Sequence, residues 1–232
     1  SPEVVIKALI DQRVLLDFTP IIYTSNKVLA HHKKMLDLNE FNYQSVKSAK
    51  EARDRKVNVV NISEDDITFD LGKPTEVGGR IAFNSLEAAT QDLASGKIDV
   101  LVTAPISKEA MGKSGFEFPG HTEYLANLSS KSEALMIMVS GELRVALVTI
   151  HVPIKEVPGL LTVERIYGKI KELELSLKKD FGVIKPKIAV FGLNPHAGEN
   201  GKMGTEEAEV IIPAIKKAFD EGIMAFGPYP AD

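Results

Sequence analysis

Three histidines stand in settings that can do chemistry. His121 lies in Phe118-Pro119-Gly120-His121-Thr122-Glu123, His151 follows Thr149-Ile150, and His196 lies in Asn194-Pro195-His196-Ala197-Gly198-Glu199. Each sits beside small or turn-forming residues, at a predicted strand end or helix start. The chain holds five histidines, and the other two are adjacent, at His31-His32. Separated histidines in such settings suggest a metal or substrate site assembled by the fold, because neutral imidazole is the commonest metal ligand among side chains. There is no cysteine, so thiolate metal sites and disulfides are excluded.

His121 precedes Thr122-Glu123-Tyr124-Leu125-Ala126, a good helix, and therefore marks a helix amino end. Backbone N–H groups and the positive end of the helix dipole favour an anion there, and His121 and Thr122 can both donate to a phosphate or carboxylate. The competing reading is helix capping by Thr122, with His121 an exposed turn residue. His151 follows the apolar run Leu143 to Ile150, at a strand end, where open α/β sheets collect ligands. The alternative is a half-buried histidine packing at that end. His196 lies in a loop with Gly192, Asn194, Pro195, Gly198 and Gly201, after the strand Lys187 to Phe191. Glycines there permit positive φ or close approach to a ligand; the alternative is an ordinary glycine-rich connection. Lys108 either reaches a ligand anion or sits in the first turn of a helix. His31-His32 read as a solvated helix face, and Asp65-Asp66 and Glu206-Glu207 as solvated or first-turn acids. Two histidines do not complete a metal site, which takes three or four ligands. A metallohydrolase would need a carboxylate beside His151 and His196, for which Glu199 is the nearby candidate.

The elements that must position these residues follow from pattern. Ser1-Pro2-Glu3 opens a helix running to about Asp11. Thr19 to Tyr23 is a short β-rich run, Asn26 to Leu36 a helix, and Val57 to Ile62 a strand. Ile67 to Leu71 is a possible strand before the Gly72-Lys73-Pro74 turn. Thr75-Glu76 opens a long helix ending near Ser95-Gly96, and its small residues permit close helix packing. The apolar run Ile98 to Val102 predicts a buried parallel strand. Ala134 to Val139 and Leu143 to Ile150 predict a hairpin turning at Ser140-Gly141-Glu142. Thr162 to Lys179 is a helix, Lys187 to Phe191 a buried strand, and Thr205-Glu206-Glu207 opens a helix ending before Gly222. Strands alternating with helices define an α/β layered fold, and the hairpin implies a mixed sheet.

The chain has 232 residues and a net charge of −4 with acids and bases interspersed. It lacks a basic stripe and is poor in aromatics, so nucleic acid is not an expected partner. No apolar run approaches the roughly 20 residues of a membrane span. No signal-peptide pattern opens the chain, so a cytoplasmic location is expected. A GxGxxG phosphate loop is absent, which gives a Rossmann site no support. Residues 1–232 read as one compact α/β unit, or as two lobes sharing a sheet.

Four motifs in order, Ala104-Pro105-Ile106-Ser107-Lys108, Phe118 to Glu123, Gly192 to Glu199 and Gly227-Pro228-Tyr229-Pro230-Ala231-Asp232, resemble the PdxA family of 4-hydroxythreonine-4-phosphate dehydrogenases. The resemblance implies a three-layer α/β/α fold with a mixed sheet, like isocitrate and isopropylmalate dehydrogenases. It implies a homodimer with a shared active site, NAD as cofactor and a divalent cation (zinc, cobalt or magnesium). The implied reaction oxidises 4-phosphohydroxy-L-threonine to a β-keto acid that decarboxylates to 3-amino-2-oxopropyl phosphate, in pyridoxal phosphate biosynthesis. On this sequence, His121 and Thr122 match the substrate-contacting pair, and His151 and His196 match two of three metal ligands. The family extends beyond both ends of this chain, and the extension carries the third metal histidine and much of the NAD contact. That implies an inactive 232-residue chain. Two alternatives share the motifs: a 4-phospho-D-threonate or 4-phospho-D-erythronate dehydrogenase, and a non-catalytic metal- and anion-binding domain.

Overall fold

A computed structural model of the chain describes residues 2–64, 67, 70–129 and 134–232. The N-cap expected at Ser1, the acids Asp65-Asp66 and residues 68 and 69 of the possible strand 67–71 lie outside the described residues. The protein is an α/β structure in two compact units, residues 1–132 and 133–232. Each of the three sheets among the described residues lies within one unit.

The first unit opens with α1 (Pro2–Leu9), β1 (Ile21–Thr24), α2 (Asn26–Met35), β2 (Gln44–Val46) and β3 (Asn58–Asn61). The strands form a parallel sheet in the order β1-β3-β2. Its core is Ile6, Leu15, Leu29, Phe41, Val57 and Val59, all buried. Buried Asn58 ties the sheet to its loops, donating from Nδ2 to the carbonyls of Arg53 and Lys56. The expected solvated face at His31-His32 is instead half-buried. His32 Nδ1 lies 2.9 Å from the Val28 carbonyl, one turn back.

The long helix is α3 (Glu76–Ala94), capped as its sequence requires: Thr75 accepts from the Gly78 N–H, and Gly96 follows with φ 67°. Tyr23 Oη donates to Asp92 on α3 at 2.8 Å and so ties the helix to β1. α4 (Lys108–Lys113) and α5 (His121–Leu128) complete the unit. Gly79 makes the α3–α4 crossing possible, because a β-carbon there would overlap the Ala110 carbonyl.

The buried strand expected over Ile98 to Val102 does not form. This segment has no regular structure and no strand partner among the described residues, bends at Asp99, and leaves Val100 and Val102 exposed. Leu101 alone of the three turns inward, onto the cluster around Met111 and Tyr124. An apolar run becomes a strand only where a neighbour completes its hydrogen-bond ladder, and no described segment does so here.

The second unit begins with β4 (Ile137–Ser140) and β5 (Leu143–Ala146), an antiparallel hairpin turning at Gly141-Glu142, where Gly141 takes φ 53°. That is a two-residue hairpin turn, shorter than the sequence suggested. The short α6 (Val157–Leu160) and the long α7 (Val163–Lys179) follow, the latter capped by Thr162 accepting from the Arg165 N–H. β6 (Ile188–Phe191) pairs in parallel with β7 (Ala225–Tyr229). The strand expected to be buried is only partly so, since Phe191 is exposed.

Between these strands, the helix expected from Thr205 begins as a π-helical turn, Glu207–Ile211, in which the Ile212 N–H donates to the Glu207 carbonyl. It becomes α-helical as α8 (Ile212–Asp220). Pro213 explains the wide turn: it has no N–H and its ring crowds the carbonyl four residues back. Ile166, Ile170, Leu173, Ile211, Ala214 and Ala218 form the core between α7 and α8.

Candidate functional site

Two regions carry the candidate residues, one in each unit. In the first, α5 begins at His121 with Gly120 as its N-cap, and no side chain caps it. The expectation that Thr122 might cap the helix is therefore overturned; Thr122 lies inside the first turn. Both His121 and Thr122 are half-buried. Burial disfavours the imidazolium and lowers the His121 pKa below its ordinary value.

The amino end is held by aromatic packing. Phe83, Phe116, Phe118 and Tyr124 stack with centroids 5.4–6.4 Å apart, within the range of favourable edge and tilted pairs. Phe118 belongs to the loop that delivers Gly120, and Tyr124 is the buried residue of α5. Lys108 joins this region, because its Cε would lie 3.9 Å from a β-carbon on Gly120. A cation, an imidazole and a hydroxyl thus gather beside an amino end that can receive an anion. The carboxyl ends of β1, β2 and β3 open instead on a separate cleft of about 770 Å³ lined by Asn26, Lys47 and Asn61, and neither His121 nor Thr122 lines it.

In the second unit, β5 ends at Ala146 rather than running to Ile150, so His151 sits in the loop beyond the strand. It is exposed, with φ 55°. His196 lies in a more unusual structure. His196, Ala197, Gly198, Glu199 and Asn200 all have φ between 43° and 80°, so the chain makes a left-handed turn. For L-residues other than glycine this conformation costs about 1–2 kcal/mol each. Such strain persists only where surrounding contacts over-determine it.

Those contacts are polar. Asp232 grips His196 twice: Oδ1 accepts the His196 backbone N–H at 3.1 Å, and Oδ2 lies 2.7 Å from Nδ1. The backbone N–H holds the Asp232 carboxyl below the usual carboxylate range. With Nδ1 donating to a carboxylate, the ring's accepting nitrogen is Nε2, the arrangement that orients metal-binding histidines. From the other side, Glu207 accepts from the backbone N–H groups of Leu193 and Asn194, each at 2.8 Å, and from Asn194 Nδ2 at 2.9 Å. Glu206 accepts a further bond from Asn194 Nδ2 at 2.7 Å.

Glu207, read from sequence as a solvated or first-turn acid, is 4% exposed. Burial opposes its ionisation, but the hydrogen bonds from Asn194 and Leu193 outweigh it and hold the carboxyl below its ordinary value. Neither Asp232 nor Glu207 was assigned a role from sequence. The usable signal was the crowd of glycines around His196, which marks a backbone that needs outside support.

Among the described residues, no group of three or more histidine, aspartate or glutamate side chains is placed to hold a metal ion. Glu199, the carboxylate a metallohydrolase would need, lies 3.4 Å from Lys202 Nζ. His151 and His196 are each imidazole donors of the type metals take, and the second is oriented by a carboxylate.

An α/β protein with an anion-receiving helix end and an oriented, strained histidine turn is of an enzyme-like type, and comparison with known proteins makes the class specific. Residues 17–232 match the family model for pyridoxal phosphate biosynthetic protein PdxA. The chain is 44% identical to the 4-hydroxythreonine-4-phosphate dehydrogenase of Bacteroides thetaiotaomicron over 99% of its own length and 63% of that relative. It is 38% identical, over its whole length and 70% of the relative, to an Oceanobacillus iheyensis protein provisionally named D-threonate 4-phosphate dehydrogenase. The crystal structure of a 4-hydroxythreonine-4-phosphate dehydrogenase from Burkholderia phymatum superposes with a TM-score of 0.86 at 34% identity, covering 100% of this chain and 70% of that one. The chain belongs to the PdxA family, and it spans between 63% and 70% of the length of these relatives. No helix among the described residues is long and apolar enough to cross a membrane.

Proposed function

We propose that this chain is the larger part of an NAD- and metal-dependent dehydrogenase acting on 4-phosphohydroxy-L-threonine. The product β-keto acid loses carbon dioxide to give 3-amino-2-oxopropyl phosphate, in pyridoxal phosphate biosynthesis. The observation that carries this reading is the His196 turn, where a left-handed backbone and a carboxylate on Nδ1 leave Nε2 as the ring's accepting nitrogen. Family membership and the two dehydrogenase relatives support it.

When bound, a divalent cation would acidify the substrate hydroxyl while NAD accepts the hydride. His151 and His196 are the residues of this chain that would hold the cation, completed by ligands from elsewhere in the full protein or from a partner subunit of a homodimer. Imidazole donors favour zinc or cobalt over magnesium. His121, Thr122 and Lys108 bind and orient the anionic substrate at the start of α5. Burial favours the neutral form of His121 by lowering its pKa, and a neutral imidazole donates from one ring nitrogen and accepts at the other.

The test is NADH formation with 4-phosphohydroxy-L-threonine, NAD and zinc or cobalt, in the chain joined to its family-length extension, beside His196→Ala. Metal-dependent turnover lost in the variant is the expected result; turnover retained in the variant removes His196 from the site. A second reading, favoured by the relative from Oceanobacillus iheyensis, is oxidation of 4-phospho-D-threonate. Turnover of that compound and not of the amino acid selects it.

A further inference from the structure

We propose that Glu207 is a positioning residue: its buried carboxylate locks the left-handed turn that presents His196. This rests on the reading of His196 as a metal ligand in Proposed function and extends it to a residue outside the ligand set.

Three donors converge on one carboxylate: the N–H groups of Leu193 and Asn194 on Oε1, and Asn194 Nδ2 on Oε2. These residues are the last before Pro195, and the turn begins directly after it. Their orientation therefore sets the direction in which the chain enters the left-handed segment. Glu207 also touches the turn itself. A β-carbon on Gly198 would lie 2.6 Å from Oε2, and one on Gly192 would lie 3.1 Å from Oε1. The carboxylate thus fills the space between the two glycines on either side of His196. Gly198 has φ 80°, so glycine is needed there for its conformation and for its lack of a side chain.

The chemistry requires an ionised acid. A carboxylate offers only acceptors, and all three partners are donors. Glutamine would turn its own N–H groups toward one of them, leaving a buried donor unmatched. The π-helical turn explains why Glu207 can reach: it begins the wide turn Glu207–Ile211 ahead of Pro213, and Glu206 beside it reaches the same Asn194 amide. Such wide turns recur at functional sites. Asp232 orients the imidazole ring, and Glu207 holds the backbone that carries it.

The experiment uses the chain joined to its family-length extension, so that the ligand set is complete, and compares wild type, Glu207→Gln, Gly198→Ala and Glu209→Gln by amide hydrogen exchange and by zinc titration. Glu209 is exposed on the same wide turn and serves as the control. Gly198→Ala leaves every hydrogen bond of Glu207 chemically possible but pushes on its carboxylate. Exchange at the Leu193 and Asn194 amides, and at Met203, whose N–H donates to the Gly198 carbonyl at 3.1 Å, should rise about 10- to 100-fold in Glu207→Gln and Gly198→Ala, with α7 amides unchanged. Zinc affinity should fall about 10- to 100-fold in the same two variants, and Glu209→Gln should match wild type. Local exchange unchanged in Glu207→Gln would overturn the proposal. So would acceleration spread equally over α7 and β6, which is the mark of general destabilisation. Zinc failing to bind wild type while the local exchange pattern appears would overturn the metal reading alone, and would support Glu207 as what holds the turn.

Discussion

The two candidate regions are held by opposite means. The amino end of α5 is set by packing: three phenylalanine rings, one buried tyrosine, and a glycine that lets α3 and α4 touch. The His196 turn is set by charge and hydrogen bonds: three carboxylates, one side-chain amide and a run of backbone in a disfavoured conformation. Packing of the first kind is distributed, so no single polar group decides it. The second arrangement depends on a few groups, each of which leaves an unmatched partner when removed. A helix end that receives an anion needs only a fixed direction. A metal-binding imidazole needs its ring plane and its tautomer fixed as well.

The largest expected effect breaks the packed region. Phe116 is buried among Phe83, Phe118 and Tyr124. Phe116→Ala should cost about 3–5 kcal/mol of stability in urea unfolding. A loss under about 1 kcal/mol would mean that the aromatic cluster does not carry this region. Next is Gly79→Ala, whose added methyl meets the Ala110 carbonyl. Because the obstruction is backbone rather than a movable side chain, the helices must part. A cost of about 1–3 kcal/mol or more is expected, read from the same unfolding curve.

These residues also mark what a sequence can disclose. The α3 helix was legible because its signals are local: Thr75 at the cap and Gly96 at the stop. The hairpin and α7 were legible for the same reason. The strand expected at Ile98 to Val102 failed because pairing is a property of neighbours and not of the run itself. β2 is too short to show a period, and β7 contains Gly227 and Pro228, residues depleted in strands. At the site, His121, Thr122, His151 and His196 stood out by residue type and setting, whereas Glu207 did not. Two adjacent acids at a helix start look like dipole-complementing surface charge, and only the return of the chain past Leu193 and Asn194 buries one of them.

A smaller effect on stability, but a selective one, sharpens the contrast at the polar region. Asp232→Asn removes the charge facing His196 Nδ1 while keeping the side-chain shape. Both groups are substantially exposed, so urea stability should change little. Zinc affinity should nevertheless fall about 10- to 100-fold, because the ring loses its orienting partner. Equal zinc affinity in the variant would show that the Asp232 contact does not serve ligand presentation.

The smallest expected effect separates the regions by pH. Burial lowers the His121 pKa below its ordinary value, so between the folded pKa and about 6.5 the unfolded chain binds more protons than the folded one. Stability from this group is therefore present above pH of about 6.5 and declines as pH falls through that window. Glu207 has the same sign in a different range. Its folded pKa is also below the unfolded value, so its contribution is complete above the ordinary carboxylate range and is lost as pH falls through the folded pKa. Urea midpoints followed downward from neutral pH should decline in two windows, the upper abolished by His121→Gln and the lower reduced by Glu207→Gln. An upper window that survives His121→Gln would assign it to another histidine and break the link between burial at the α5 amino end and a neutral imidazole there.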